Sequence, residues 1–387
     1  VRGELGNPRL LRVMNERRLL DRLNDHGPAS RAQLAKVTGL SKPTVSAALA
    51  GLEEDGLVHL VGEVSGRPGP VTSLYDMNAG SAHVAGIDIG RDWNRVAVAD
   101  LRGRFVGRKD GRNDARTTAD LARHVRELAH AAAAAADLEW SEVTCAVAGT
   151  PGVYDPVSGR LDFASNLPGA DLVERLRAEL QADLVIENDI NLAAVGEHAY
   201  GEGRGKANFA LVSIGTGVGM GIVINGELYV GARGAAGEVS YLPAAEDAAE
   251  DAATAGTPDR EAFEHGSTET VASAPGVVRA ARAAGLHPRS AREVFEAAGR
   301  GDPAARAVVE AEGRRIGGLV VAVAAVLDPE AIVLSGGVGR NLDLLGNAIE
   351  RRVAELGPLR PQVVASALGD SGVLLGAAAR ARSRAWD

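Results

Sequence analysis

The sequence predicts an α/β protein in two parts: a winged helix-turn-helix over residues 1–80 and a mixed α/β body over residues 82–387. Three observations predict it. The head reads helix, helix, Gly-containing turn, helix, and then two strands around a basic loop. Beyond it, strands joined by tight turns give way to strands alternating with helices. That plan occurs twice, so the body divides into two lobes, 82–190 with the C-terminal helix and 191–375, with a cleft between them.

The head begins with a helical stretch at 7–23 carrying Arg9, Arg12, Arg17, Arg18 and Arg22. Ser30, Arg31, Ala32 and Gln33 form a capping box, and Gly39 is placed to end the short helix that follows. Ser41 caps a third helix with Pro43 in its first turn, where a missing N–H costs little. Val45, Leu49 and Leu52 fall at i, i+4, i+7 and face the core. Pro43, Ser46 and Ala47 point away from them, with Thr44 at the flank and Lys42 at the N-terminal end. Such N-terminal residues enter the major groove. Ser41, Thr44 and Ser46 offer hydroxyls, and Ala47 suits a thymine methyl. Lys42 and the first-helix arginines suit phosphates. Strands at 57–61 and 71–76 flank Ser65-Gly66-Arg67-Pro68-Gly69, a stiff wing tip whose Arg67 suits the minor groove. The expected partner is double-stranded operator DNA, bound by a homodimer or a dimer of dimers. The plainer alternative is a small helical protein-interaction module.

Charge supports the division. The chain carries −9 overall, yet residues 1–80 hold 10 Lys+Arg against 9 Asp+Glu. A near-neutral head with clustered arginines therefore sits on an acidic body. The single cysteine, Cys145, excludes an internal disulfide and a Cys-based zinc cluster. Nothing reads as a signal peptide or a spanning helix, so a cytoplasmic protein without membrane partners is expected.

The body opens with three consecutive strands at 83–89, 95–100 and 104–108, then an Ala-rich helix at 118–136 and a strand at 142–148. The second round opens at the stretch around which the chain is organised, 211–242. There an apolar strand enters Gly215-Thr216-Gly217-Val218-Gly219-Met220-Gly221, and a strand at 222–224 follows, then Asn225-Gly226, a strong hairpin signal. Alternate glycines let backbone N–H groups approach an anion. A dinucleotide fingerprint opens a helix. This loop opens a strand, so it reads as a hairpin suited to straddling phosphates, or as a glycine-softened hairpin that binds nothing.

Asp88-Ile89-Gly90, the loop Gly215-Thr216-Gly217 and Ser335-Gly336-Gly337-Val338-Gly339 resemble the nucleotide-contacting segments of sugar kinases of the two-lobed actin-like (ribonuclease H-like) fold. Glu187-Asn188-Asp189-Ile190-Asn191 and Gly237-Glu238-Val239-Ser240-Tyr241 narrow the resemblance to the ROK family of repressors, open reading frames and sugar kinases. With the head in front, the whole chain resembles a ROK-type repressor of sugar metabolism. The resemblance implies that Asp189 stands where the kinases hold the carboxylate that takes a proton from the attacking sugar hydroxyl. It also implies sugar contacts for Asn166, Asn188, Glu238 and Glu269, with Tyr241 beside them. The plainer role for Asp189 is a helix N-cap, and for Asn166 a turn before Pro-Gly.

The departures carry the functional reading. Family kinases place Gly-Gly-Thr after the first Asp-Ile, and this chain has Gly90-Arg91-Asp92-Trp93. An Asp there repels phosphate and bulky side chains block its approach. The family's zinc His is replaced by Tyr241, and the knot region 263–268 has His265 but no cysteine, so no zinc is expected. The acidic, Ala-rich stretch 244–259 reads as a loop. The leading expectation is therefore a DNA-binding repressor of carbohydrate metabolism controlled by a sugar or sugar phosphate. It uses neither ATP nor metal, and Asp189 is a vestigial base. The alternative is an ATP-dependent sugar kinase with an appended head. A third possibility, an interaction protein reading neither DNA nor sugar, is disfavoured by the intact Asn188, Asp189 and Glu238.

Overall fold

The protein is represented by a computed structural model that describes residues 8–64, 72–155, 160–162, 171–243, 262 and 265–386. Arg67 with the wing tip, Asn166 with its turn, and the 244–259 stretch lie outside the described residues.

The head contains α1 (Pro8–His26), β1 (Ala29–Ser30), α2 (Arg31–Thr38), α3 (Lys42–Glu54), β2 (Val58–Val64) and β3 (Thr72–Met77). Its capping box closes both ways: the Gln33 N–H donates to Ser30 Oγ at 3.3 Å, and the Ser30 N–H donates to Gln33 Oε1 at 2.8 Å. Gly39 ends α2 at φ 72°, a left-handed conformation that favours glycine. Leu19, Leu23, Leu34, Val45, Leu49, Leu52 and Tyr75 form one buried core beneath the antiparallel sheet β1-β3-β2.

The body begins with β4 (His83–Ile89), β5 (Trp93–Asp100), β6 (Phe105–Arg112), α4 (Thr118–Ala134), β7 (Val143–Thr150), the short pair β8 (Val153–Asp155) and β9 (Arg160–Asp162), α5 (Leu172–Leu180), β10 (Leu184–Asn188) and α6 (Asp189–Tyr200). It continues with β11 (Phe209–Ile214), β12 (Val218–Ile224), β13 (Glu227–Leu228), α7 (Ser267–Ala272), α8 (Ala274–Ala283), α9 (Ala291–Gly299), α10 (Pro303–Leu327), β14 (Ala331–Ser335), α11 (Gly336–Gly339), α12 (Leu342–Leu356), β15 (Val363–Ala365) and α13 (Gly372–Ala385).

The expected duplication is visible in the sheets. The first has the order β10-β7-β4-β5-β6 and the second β13-β12-β11-β14-β15. Each is a three-strand antiparallel meander extended by two parallel strands. Helices α4 and α5 bury Leu121, Val125 and Leu176 on one face of the first sheet, and α13 covers the other with Ala377, Ala378 and Ala381. Helices α8, α9, α10 and α12 cover one face of the second sheet.

Helix α6 packs against α13 on one side and β11 and β12 on the other. A lobe boundary after residue 190 therefore cuts a continuous helix, where hydrophobic pattern alone shows no break.

The Gly-rich stretch is shorter than expected. Strand β12 starts at Val218, so Gly219 and Gly221 are strand residues paired with Ser213 and Leu211. Their missing side chains serve packing. A Cβ on Gly219 would lie 2.4 Å from Ile190 Cδ1, and one on Gly221 would lie 2.7 Å from Ala194 Cβ. The two glycines seat α6 on the second sheet, and Gly219 also lines the cleft described below. The Asn225-Gly226 hairpin forms as expected, with φ of 54° and 80°.

Candidate functional site

A cleft of about 430 Å³ opens where the carboxyl end of β10, the N-terminus of α6, the β11–β12 turn, the Gly237-Glu238 turn and α7 converge. It is lined by Asn188, Asp189, Gly215, Thr216, Gly217, Glu238, Tyr241 and Glu269, among others. The structure thus brings together five of the six residues expected to hold a sugar, and the sixth, Asn166, lies outside the described residues.

Asn188, not Asp189, is the N-cap of α6. Its Oδ1 accepts from the Ile190 and Asn191 N–H groups, and its Nδ2 donates to the Gly152 carbonyl at 3.0 Å. The amide side chain is therefore largely committed to the helix end. That frees Asp189, in the first turn, to face the cleft. One Asp189 oxygen accepts the Ile190 N–H at 2.8 Å. Burial, reinforced by the nearby Asp88 carboxylate, pushes its pKa up to about 6.

Glu238 and Glu269 are also held above the usual carboxylate range, chiefly by burial, and Glu269 raises Glu238 further. The Val218 N–H donates to Glu269 Oε2 at 2.9 Å and fixes that carboxylate beneath Gly217. Gly237 must be glycine: at φ 95°, a Cβ would lie 1.9 Å from the Met220 carbonyl oxygen. Burial raises the Tyr241 phenol as well. A ring of partly desolvated carboxylates and an amide suits a polyhydroxyl ligand, whose O–H groups donate to each acceptor.

The nucleotide-like segments fare differently. Asp88 is buried and pairs with Arg95 Nη1 at 2.8 Å, a contact set by the β4–β5 register that places the two residues opposite each other. It faces the strand partner instead of lining the cleft. Gly90 lines the cleft wall, and its turn is pinned by Asn113, whose Nδ2 donates to the Gly90 carbonyl at 2.8 Å. That turn presents Arg91, not Asp92, to the cleft. The expectation that Asp92 repels phosphate is therefore corrected. The residue placed there is an exposed guanidinium with no ion pair among the described residues. Gly336 and Gly337 sit behind Gly215 rather than in the cleft wall. Gly336, at φ 79°, leaves no room for a side chain against the Ile214 carbonyl.

Sequence reasoning passed over several lining residues. Asn191 closes the Glu187-Asn188-Asp189-Ile190-Asn191 segment, and its Nδ2 donates to Glu187 Oε1 at 2.9 Å. Ser240 stood beside named residues. Arg279, on α8, carried no local signal. It donates to the Thr270 carbonyl and reaches the cleft only because α8 packs against α7.

The residues present do not fit the family's zinc. Among the described residues no three His, Cys, Asp or Glu side chains are grouped to hold a metal. His265 Nδ1 lies 3.9 Å from Glu269 Oε1, and the position of the family's His holds the exposed Tyr241.

On the head, Ser41, Lys42, Pro43, Ser46 and Ala47 are exposed along the N-terminal half of α3. The Ser41 and Thr44 hydroxyls lie 2.8 Å apart, and Ser41 Oγ also accepts the Thr44 N–H. Both hydroxyls are thus engaged in the cap, which leaves Ser46, Ala47 and Lys42 as the outward group. Three of the first-helix arginines are also committed. Arg12 pairs with Glu16 at 2.7 Å, Arg17 pairs with Asp21 and stacks 4.9 Å over the Trp386 ring, and Arg22 donates to the Gly27 carbonyl.

The ROK family model matches residues 84–384. The chain belongs to the ROK family. A MarR family model matches residues 12–67, the winged head. The fold is thus a winged helix-turn-helix followed by a ROK sugar-kinase-like body. The xylose repressor of Bacillus subtilis is 28% identical over 246 residues, and the match spans 62% of this chain and 62% of that repressor's length. A glucokinase of Halalkalibacterium halodurans is 32% identical over 252 residues, covering 59% of this chain and 73% of the enzyme. A crystal structure of a ROK family transcriptional regulator, described as a homologue of the E. coli MLC protein, superposes with a TM-score of 0.79. It covers 97% of both chains at 22% identity, a likeness of fold that includes the head. Both repressors and kinases are therefore among this protein's ROK relatives. Among the described residues no helix is long and apolar enough to cross a membrane.

Proposed function

We propose that this ROK protein is a DNA-binding transcriptional repressor of carbohydrate metabolism. In this reading it works in the cytoplasm as a homodimer or dimer of dimers, with its kinase-like body as a non-catalytic sensor of a sugar or sugar derivative. Asp189, Glu238 and Glu269 hold the sugar's hydroxyls, and Tyr241 and Asn188 close the wall around it. Lys42, Ser46 and Ala47 face the operator, joined by Arg67 at the wing.

The observation that carries the sensor over the kinase is the altered first phosphate loop. Asp189, Glu238 and Glu269 line the cleft, which supports a sugar site, yet Arg91 lines it where a kinase needs bare backbone, and Asp88 is bound by Arg95. The carboxylates then do ligand recognition: each accepts a hydrogen bond from a sugar hydroxyl, and a ligand spanning Asp189 and Glu238 favours the conformation in which both can be reached. The expected direction is release of DNA on sugar binding.

Two measurements test this. The full chain mixed with ATP, magnesium and xylose, glucose or N-acetylglucosamine should release no sugar-dependent ADP. Steady turnover would establish the kinase reading instead. Operator affinity with and without the sugar found by thermal-shift screening should change for the wild type. It should not respond for Asp189→Ala at the same sugar concentration, because a charge-assisted hydrogen bond worth about 1.5–3 kcal/mol is lost. An unchanged response in that variant would place the effector elsewhere.

A further inference from the structure

The head and the cleft are joined by a contact system that the sensor reading does not use. Its centre is the β5–β6 turn, Asp100 to Arg104. On one side this turn belongs to the head. Leu101 is buried in the head's core, its N–H donates to the Ala79 carbonyl at 3.0 Å, and Arg102 pairs with Asp76. On the other side it touches the two helices that cross beneath the cleft. A Cβ on Gly103 would lie 2.5 Å from the Tyr200 hydroxyl and 2.9 Å from Arg382 Nη1. Arg382 also donates to the Arg102 carbonyl at 3.0 Å. Tyr200 is the last residue of α6 and Arg382 is on α13.

Helix α6 thus has one end in each place. Asp189, at its first position, faces the cleft, and Tyr200, at its last, lies on the turn that plugs the head. Twelve residues make a rod of about 18 Å. The rod is locked to α13 backbone to backbone. A Cβ on Gly376 would lie 1.7 Å from the Leu192 carbonyl oxygen, and one on Gly196 would lie 2.4 Å from the Gly372 carbonyl oxygen. With no side chain between them, neither helix can shift without the other. Helix α13 then reaches the head a second time through Trp386, its C-cap, which packs on the head's core beneath the Arg17 guanidinium. The buried Trp386 indole N–H has no hydrogen-bond partner among the described residues. The ring is held by packing on the head's core and by the Arg17 guanidinium over its face.

We propose that α6 and α13 move as one strut that carries effector binding at Asp189 to the DNA-binding head through Tyr200 on Gly103 and Trp386 on Arg17. This rests on the sensor reading, and it assigns Tyr200 and Trp386 as positioning residues that touch neither sugar nor DNA. A ligand pulling on the α6 N-terminus displaces the far ends of both helices, and the two contacts re-aim α1 and the β5–β6 turn together. Binding free energies couple reciprocally, so operator DNA must change sugar affinity by the same factor.

The test uses the full chain, an operator selected from a random duplex library with the wild type, and xylose, glucose, N-acetylglucosamine and their phosphates as probes. Wild type should show a sugar-dependent change in operator Kd of about 10-fold, within the usual range of such couplings. Tyr200→Ala and Trp386→Ala should each bind the same sugar and the sugar-free operator within about 3-fold of wild type, yet shift by less than about 2-fold. Trp386→Phe, which keeps an aromatic ring on the head's core, should restore the shift, whereas Tyr200→Phe, which removes only the hydroxyl lying against Gly103, should not. Hydrogen exchange across residues 100–104 should respond to sugar in wild type and not in Tyr200→Ala. Retention of the full shift in both alanine variants overturns the strut and leaves the sensor reading standing. The absence of any shift in wild type, for every probe, overturns both.

Discussion

Gly376→Ala and Gly318→Ala should move stability in opposite directions although both put alanine into a helix. Alanine is favoured over glycine in a helix interior by about 0.8–1 kcal/mol. At Gly318, on α10, a Cβ meets nothing within 4 Å, so that gain should appear undiminished. At Gly376 the added Cβ falls 1.7 Å from the Leu192 carbonyl oxygen and 2.8 Å from the Gly196 nitrogen. Both are backbone atoms with no rotamer to escape into. Restoring ordinary contact requires α6 and α13 to separate by more than an ångström. A gap of 0.5–1 Å already forfeits a quarter to a half of each facing dispersion contact. Leu192, Ala377 and Ala381 lie along that interface. Overpacking of this kind costs about 1–3 kcal/mol, occasionally more. Since the backbone cannot yield, the upper end applies, and after the helical gain Gly376→Ala should lose roughly 2 kcal/mol. Thermal melts of the two variants and wild type, followed at a fixed scan rate, measure the difference. A Gly376→Ala protein melting at or above wild type would refute the close-packed α6–α13 crossing and the strut built on it.

Other outcomes follow from single groups. Lys42, exposed at the start of α3, should serve phosphate alone, so Lys42→Ala should weaken all duplexes equally and reduce the salt slope by about one, read by titrations at several salt concentrations. Asp189, with its pKa pushed to about 6, must be ionised to accept a sugar hydroxyl, so effector affinity measured by calorimetry should fall about tenfold between pH 7 and pH 5. Affinity flat across that range would remove Asp189 from the contact. Glu312, fully buried with one unpartnered oxygen, has its pKa pushed to about 8 by burial against the opposing Arg315 pair. A folded value above the unfolded one means this group's contribution is lost as pH rises from about 4.5 through 8, so Glu312→Gln should flatten the stability–pH profile in that window. Denaturant titrations at pH 5, 7 and 8.5 would show it, and parallel wild-type and variant profiles would contradict it.

The sequence by itself determined the elements whose cause is local. Ser30 and Gln33 cap α2, Gly39 ends it, and Asn225-Gly226 turns a hairpin, because each depends on backbone geometry within three or four residues. The repeated meander was also readable, since alternating apolar runs and turn residues encode it directly. The convergence of Asp189, Glu238, Tyr241 and Glu269 was legible only through family resemblance, because they come from three separated segments.

Tertiary structure alone decided the rest. It set Asp189, in the first turn of α6, against the cleft. It made Gly219 and Gly221 the seats for Ile190 and Ala194, because a strand glycine and a loop glycine look alike until the facing helix is placed. It brought Arg279 to the cleft from α8, and it committed Arg17 of the head to Trp386 at the far end of the chain. Caps and turns are settled by neighbours in sequence. Which side chain remains free to meet a ligand is settled by the distances between segments, and those exist only once the helices have packed.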